Sequence, residues 1–127
     1  MDSIISSVTQ SLLNKALDVT TANHRIIANN IANVDSVNYS PAKLDFDAVM
    51  SQVSDMVNHG ASDEAISRAV KEIDPNFLPT VQEAGAKVML DKEMVALTDN
   101  SLRYQSLIMA KKGFGGLLKT AIKGGRG

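Results

Sequence analysis

The feature that most limits how this chain folds is a helix-spaced stripe in its first third. Between about Ile4 and Val34, apolar or amide residues recur at alternating intervals of three and four, with one four-four step after Leu12. This spacing predicts one long helix with a coiled-coil-like seam, and the irregular step is typical of a stutter. The seam positions are Ile5, Val8, Leu12, Ala16, Val19, Asn23, Ile26 and Asn30.

Two asparagines, Asn23 and Asn30, fall on this seam. A buried amide lowers stability, but it fixes helix register and the choice of partner. The alternative is that the helix turns both side chains toward solvent. The sequence leaves both interpretations open.

A second helical pattern runs from about Ala86 to Lys112. In one apolar track the residues are four and three positions apart in turn. In the other, along one flank of the helix, they are seven positions apart. Two apolar tracks on one helix indicate more than one neighbour. The first track is Leu90, Met94, Leu97, Ser101, Tyr104 and Ile108, and the second is Val95, Leu102 and Met109.

The predicted helices are too long for a compact domain. At about 1.5 Å per residue they span about 46 Å and about 40 Å, whereas a compact domain of 127 residues is about 36 Å across. We therefore expect an all-α fold, an elongated antiparallel pair of long N- and C-terminal helices with a short, partly helical central insert. The expected division is an N-terminal axial helix (1–34), a turn (35–43), a variable central region (44–85), a C-terminal axial helix (86–112) and a basic Gly-rich tail (113–127).

The central region has its own helical signals. Apolar residues recur at helical spacing from Phe46 until Gly60, which is a predicted stop, and Ser62 then begins a shorter helix. Asp45 and Asp47 stand at the start of the first of these helices, where negative charge complements the helix dipole.

No residue pattern indicates catalysis. The chain has no Cys, and His24 and His59 stand in no metal-binding pattern. The glycines from Gly113 to Gly116 lack the spacing of a phosphate loop. We expect no enzyme, no cofactor and no metal.

The two ends of the chain carry weaker signals. The N-terminus has no cationic segment followed by an apolar run, so no cleaved signal peptide is predicted, and no stretch approaches the roughly 20 apolar residues of a membrane span. The basic tail from Lys111 to Arg126 complements a helix C-terminus, or contacts phosphates or anionic lipid. Aromatic residues are 4% of the chain, which is few for base stacking.

Two motifs resemble those of bacterial flagellar axial proteins. The segment Ala28-Asn29-Asn30-Ile31-Ala32-Asn33 matches their N-terminal motif, although Val37-Asn38 stands before Tyr39 where Pro-Gly is usual. The segments Val88-Met89-Leu90-Asp91-Lys92-Glu93-Met94 and Asp99-Asn100-Ser101-Leu102-Arg103-Tyr104-Gln105 resemble the C-terminal signature of the FlgB family of proximal rod subunits, with Met89 where Asp is common. Because Asn tolerates a left-handed backbone, we expect positive φ at Asn38.

The resemblance implies a structural subunit of the flagellar rod, a tubular shaft that transmits torque and encloses an export channel. It implies export without a cleaved signal peptide. The implied partners are other rod proteins, copies of itself, the MS-ring and export gate at the rod base, and a rod-assembly adaptor, with no nucleic acid and no membrane insertion. The alternatives are a cytosolic coiled-coil adaptor, another axial paralogue, or a membrane-surface or nucleic-acid binder acting through the basic tail.

The residues expected to make assembly contacts or to set the turn lie on the motifs and seams. They are Leu12, Val19, Ile26, Asn30, Ile31, Asn33, Asn38, Tyr39, Leu90, Met94, Leu97, Leu102, Tyr104 and Ile108.

Overall fold

A computed structural model describes the backbone of residues 2–124 and the side chains of residues 8–116. The described residues form four helices and a two-stranded sheet. In chain order these are α1 (Asp2–Ala32), β1 (Ala42–Leu44), α2 (Phe46–Asn58), α3 (Asp63–Glu72), β2 (Thr80–Gln82) and α4 (Leu90–Gly124). The side chains of Ile5 on the predicted seam and of Lys119, Lys123 and Arg126 in the predicted tail lie outside the described residues.

The two long terminal helices pack side by side, which confirms the predicted fold class. The 31 residues of α1 and the 35 residues of α4 span about 46 Å and about 52 Å. The pair is antiparallel, because Asn30 near the end of α1 bonds Glu93 near the start of α4, while the earlier Asn23 bonds the later Asn100.

The bounds of α4 differ from those predicted. The helix begins at Leu90 rather than Ala86, and it continues through Gly113, Gly115 and Gly116 to Gly124, where a Gly-rich tail was expected. Each glycine weakens a helix by about 1 kcal/mol relative to alanine. However, extending a helix that already has many turns needs no new nucleation. The glycines therefore lower local helix stability without ending the helix.

The α2–α3 hairpin packs against α1 through α3. Asp45 caps α2 by accepting a hydrogen bond from the Ala48 N–H, and Ser62 caps α3 by accepting from the Ala65 N–H. Gly60 has a φ of 72° directly after α2, a conformation that favours glycine at a helix end. The predicted helix signals at Asp45, Gly60 and Ser62 are thus confirmed.

Two small apolar clusters hold most of the buried apolar residues, and the half-buried Ile73 packs against both. The first cluster consists of Val19, Leu44 and Val49, and the second of Val53, Ile66 and Val70. All of these residues come from α1, β1, α2 and α3. Among the described residues of α4, Asn100 alone is buried. Both clusters therefore lie on the hairpin side of α1, whereas the buried Ile27 belongs to neither and shares the face of Asn23 and Asn30, which bond α4.

The two short strands were not predicted. They pair antiparallel with Lys43 opposite Val81. Two further bonds extend the ladder, from the Asp45 N–H to the Pro79 carbonyl and from the Glu83 N–H to the Pro41 carbonyl. Strands of three residues are too short to show a sequence periodicity.

None of the helices, over the part of the chain that the structure describes, has both the length and the hydropathy needed to cross a membrane.

The expected left-handed conformation of Asn38 is wrong. In the described part of the chain, positive φ occurs at Gly60 and Gly85 and at no residue of another type. The chain reverses after α1 through a sequence of turns with negative φ, in which the Ser36 N–H bonds the Asn33 carbonyl. The turn is therefore set by the asparagines before it rather than by backbone strain at Asn38.

This correction yields a prediction. Because Asn38 is exposed and has no positive φ, Asn38→Val should change the free energy of unfolding by less than about 0.5 kcal/mol. A left-handed residue would instead lose about 1 to 2 kcal/mol on the same substitution. Urea unfolding of the wild type, Asn38→Val and Asn38→Gly measures the difference. A large loss for valine with none for glycine would contradict the backbone described above.

Candidate assembly site

The amide of Asn30 lies at the centre of the motif region. Its side chain is 2% exposed. The amide nitrogen donates to the Ala42 carbonyl at 2.8 Å and to Glu93 Oε2 at 3.2 Å. The amide oxygen accepts from the Tyr39 hydroxyl at 2.7 Å and from the Ala42 N–H at 3.0 Å. An amide side chain has two donor hydrogens and two acceptor positions, so every one is used.

Asn30 takes the place of a neighbouring strand for β1. In an antiparallel ladder alternate residues direct their backbone groups to opposite sides. Pro41 and Asp45 bond to the chain around β2, so Ala42 faces away from it and toward α1. Asn30 bonds both the N–H and the carbonyl of Ala42. One edge of the small sheet is thereby closed by a helix side chain.

The other asparagines of the motif close the turn. Asn29 donates to the Tyr39 hydroxyl at 3.2 Å. Asn33 donates to the Asn29 carbonyl at 2.8 Å and accepts from the Ser36 hydroxyl at 3.0 Å. Tyr39 therefore bonds two successive asparagines of α1, which holds the returning chain against the end of the helix.

A second polar cluster joins α1 to α4. Asn100, which is 5% exposed, donates to the Thr20 carbonyl at 2.9 Å and accepts from the Asn23 amide at 2.9 Å. The Thr20 hydroxyl donates to the Ala16 carbonyl at 2.7 Å. The alternative that α1 turns Asn23 and Asn30 toward solvent is wrong, because both bond across to α4.

The two clusters fix how α1 and α4 align. Asn23 precedes Asn30 by seven residues, and Asn100 follows Glu93 by seven. Seven residues are about two helical turns, so both bonds form in one antiparallel alignment. A slip of either helix by one residue would rotate one side of each pair by about 100°. The polar pairs therefore specify the register of the long helices.

The far side of α4 carries a track of exposed apolar residues. Val95, Leu102 and Met109 are 62%, 57% and 73% exposed. Val95 and Leu102 lie two residues beyond Glu93 and Asn100, which is about 200° around the helix. The track therefore points away from α1. We call these three residues the α4 ridge.

Metal-binding geometry does not occur in the described residues, which contain no group of three or more His, Cys, Asp or Glu side chains that could hold an ion.

Comparison with known proteins decides the family. The flagellar basal body rod protein FlgB of Bacillus subtilis (strain 168) is 32% identical to this chain over an alignment of 135 residues. The alignment covers 98% of this chain and 99% of that protein. The chain belongs to the FlgB family of flagellar basal body rod proteins. No model of a known protein family matches it.

In this FlgB family member, the two sequence signatures coincide with the two polar clusters. The N-terminal motif supplies Asn29, Asn30 and Asn33, and the C-terminal signature supplies Glu93 and Asn100. The signature residues Asn30, Glu93 and Asn100 thus take part in the hydrogen bonds that align the terminal helices in this structure.

The predicted assembly residues divide by burial. Val19 and Asn30 are buried in the chain itself. The half-buried residues are Ile26, Ile31, Asn33, Tyr39, Leu97 and Ile108. The exposed residues are Leu12, Asn38, Leu90, Met94, Leu102 and Tyr104. The structure joins Asn30 to Tyr39 directly, whereas Val19 packs in the core beside Leu44.

Sequence reasoning missed the roles of Glu93, Asn100 and Thr20. The bonds that they make between α1 and α4 span 63 to 80 positions of sequence, so no local pattern displays them. One signal was present: Glu93 and Asn100 are polar and seven residues apart, as are Asn23 and Asn30. Matching heptad spacing of polar residues on two paired helices predicts a cross-helix contact.

The hydrogen bonds of Asn30 generate a stability prediction. Asn30→Leu should lower the free energy of unfolding by about 2 to 4 kcal/mol, because the half-buried N–H and carbonyl of Ala42 would lose their partner. The matched control is Asn14→Leu, an exposed position on the same helix, which should change it by less than about 0.5 kcal/mol. Urea unfolding followed by circular dichroism measures both. Equal effects of the two substitutions would show that Asn30 is not a buried hydrogen-bonding centre.

Proposed function

We propose that this chain is a structural subunit of the flagellar basal-body rod, in its proximal part. The observation that carries the proposal beyond family membership is the α4 ridge. Three large apolar side chains exposed in a row on one helix form an apolar patch, and such patches mark interaction sites. Burial between subunits accounts for them.

The proposed mechanism is mechanical. The paired terminal helices of many subunits pack around an axis to form a tube, which transmits torque and encloses the export channel. Antiparallel helices with a fixed register suit this role, because an axial slip of one helix would shift every contact along the shaft. The polar clusters of Asn30 and Asn100 oppose that slip within each subunit.

The proposed partners follow the family. They are other rod proteins and copies of this chain, with the MS-ring and export gate at the rod base and a rod-assembly adaptor. We also propose export without a cleaved signal peptide, no catalysis, and no binding of nucleic acid or insertion into a membrane. A cytosolic coiled-coil adaptor would explain the seams but not membership of the FlgB family.

The assembly residues divide among three proposed roles. Asn30, Asn33 and Tyr39 hold the turn, whereas half-buried seam residues such as Leu97 and Ile108 support helix pairing. The exposed residues contact neighbouring subunits. These are Leu12, Leu90, Met94, Leu102 and Tyr104.

Leu97→Asp tests the proposal in the cell. Leu97 is half-buried on α4 between Glu93 and Asn100, and an unpaired carboxylate there costs several kcal/mol. We expect the variant to be secreted but not to assemble, so that cells do not swim. The measurements are spreading in soft agar, immunodetection of the secreted subunit and electron microscopy of isolated basal bodies.

The matched control is Ala110→Asp, which places the same charge at an exposed position on the same helix. Cells with this variant should swim. Normal rods and normal swimming with Leu97→Asp would contradict the proposed role of the α4 seam.

A further inference from the structure

An open apolar groove lies between α1 and the α2–α3 hairpin. Its volume is about 390 Å³. The side chains that line it include Leu12, Val19, Phe46, Val49 and Met50, with Leu12, Phe46 and Met50 partly exposed to solvent at its mouth. We call this feature the α1 groove. Among the described residues that line it, Lys15 is the one charged residue.

The α1 groove and the α4 ridge lie on different faces of the molecule. α4 and the hairpin each pack against α1, and the ridge is turned away from α1. The Arg103 side chain of α4 reaches the mouth of the groove, where its guanidinium carbon is 5.6 Å from the centre of the Phe46 ring. The ridge therefore does not fill the groove of its own chain.

We propose that the α4 ridge of one copy seats in the α1 groove of a second copy, so that copies join head to tail. This inference rests on the proposed function, in which copies of the chain assemble with one another. When two copies join through two different faces, the first copy still has a free groove and the second still has a free ridge. The assembly therefore continues as a ring or an open helix, which suits a tubular shaft.

The dimensions of the two surfaces match. Successive ridge residues lie two helical turns apart, about 10.5 Å. The groove follows α1 from Thr9 to Val19, a length of about 15 Å. It therefore accommodates two neighbouring ridge side chains, such as Leu102 and Met109.

The charges favour contact between unlike faces over contact between like faces. Asp91 and Asp99 are exposed on the ridge side of α4 near its start, where they outnumber the exposed Lys92. Lys15 lines the groove, with its ammonium group donating to the carbonyls of Lys71 and Ile73 at the end of α3. Ridge against ridge would bring carboxylates together, whereas ridge against groove brings carboxylates near an ammonium.

The contact is small, which predicts how it behaves in solution. Three ridge side chains bury much less than the roughly 1,200 Å² of a stable specific interface. One contact therefore does not hold two free subunits together for long. Subunits held by several neighbours at once, as in a shaft, would add such contacts.

Disulfide trapping tests the contact directly, because the natural chain has no Cys. One purified variant carries Leu102→Cys in the ridge and Met50→Cys in the groove, both at exposed positions. A disulfide forms when the two Cα atoms approach within about 4.4 to 6.8 Å. Mild oxidation should give a ladder of dimers, trimers and larger species on a non-reducing gel.

The matched control combines Leu102→Cys with Gln52→Cys. Gln52 is exposed on α2, two residues and about 200° around the helix from Met50. The ridge–groove pair should cross-link at least about tenfold faster than this control, because a seated contact raises the local concentration of its thiols.

A ladder that forms equally fast with the control would overturn the contact. Products that stop at dimers would also overturn it, because they indicate a disulfide between two ridge cysteines. The proposed function is tested separately. If trapping fails while Leu97→Asp still abolishes rod assembly, the chain is a rod subunit whose ridge does not contact the groove of another copy. If Leu97→Asp cells build normal rods and swim, the proposed role of the α4 seam is wrong, whatever the trapping experiment gives.

Discussion

The structure depends on the burial of one amide, that of Asn30. Its four hydrogen bonds join the end of α1 to β1, to Tyr39 in the turn and to Glu93 on α4. Burying an amide without partners costs about 1 to 3 kcal/mol, so an arrangement that leaves any of these partners unmatched is unfavourable. Asn30 therefore contributes mainly by allowing a single arrangement of α1, β1 and α4. Its contribution to the free energy of unfolding is secondary.

The α4 helix is exposed on one side and makes polar hydrogen bonds to α1 on the other. Among its described residues Asn100 alone is buried, so within the chain the polar bonds align α4, and its half-buried apolar residues add to the contact with α1. The apolar residues of its far side stay free. Under the proposed function, this exposed apolar surface is the part of the subunit that contacts its neighbours. This division of roles suits a member of a rod protein family.

The sequence was sufficient for features that depend on local spacing. Intervals of three and four predicted the two long helices, and Asp45 and Ser62 marked the shorter ones. Features that depend on distant partners were not predictable. The side chain of Asn100 bonds residues about 80 positions away, and each three-residue strand exists because of the other. Asn38 was misassigned because its family position suggested a left-handed turn, whereas hydrogen bonds of Asn29 and Asn33 close the turn.

The claim that polar pairs set the alignment of α1 and α4 is tested most directly by a double-mutant cycle on Asn23 and Asn100. Asn23→Ala, Asn100→Ala and the double variant are unfolded in urea alongside the wild type. Because the two amides bond each other at 2.9 Å, we expect a coupling energy of about 1 kcal/mol or more. Additive losses, with coupling below about 0.3 kcal/mol, would show that the two helices are aligned by something other than this pair.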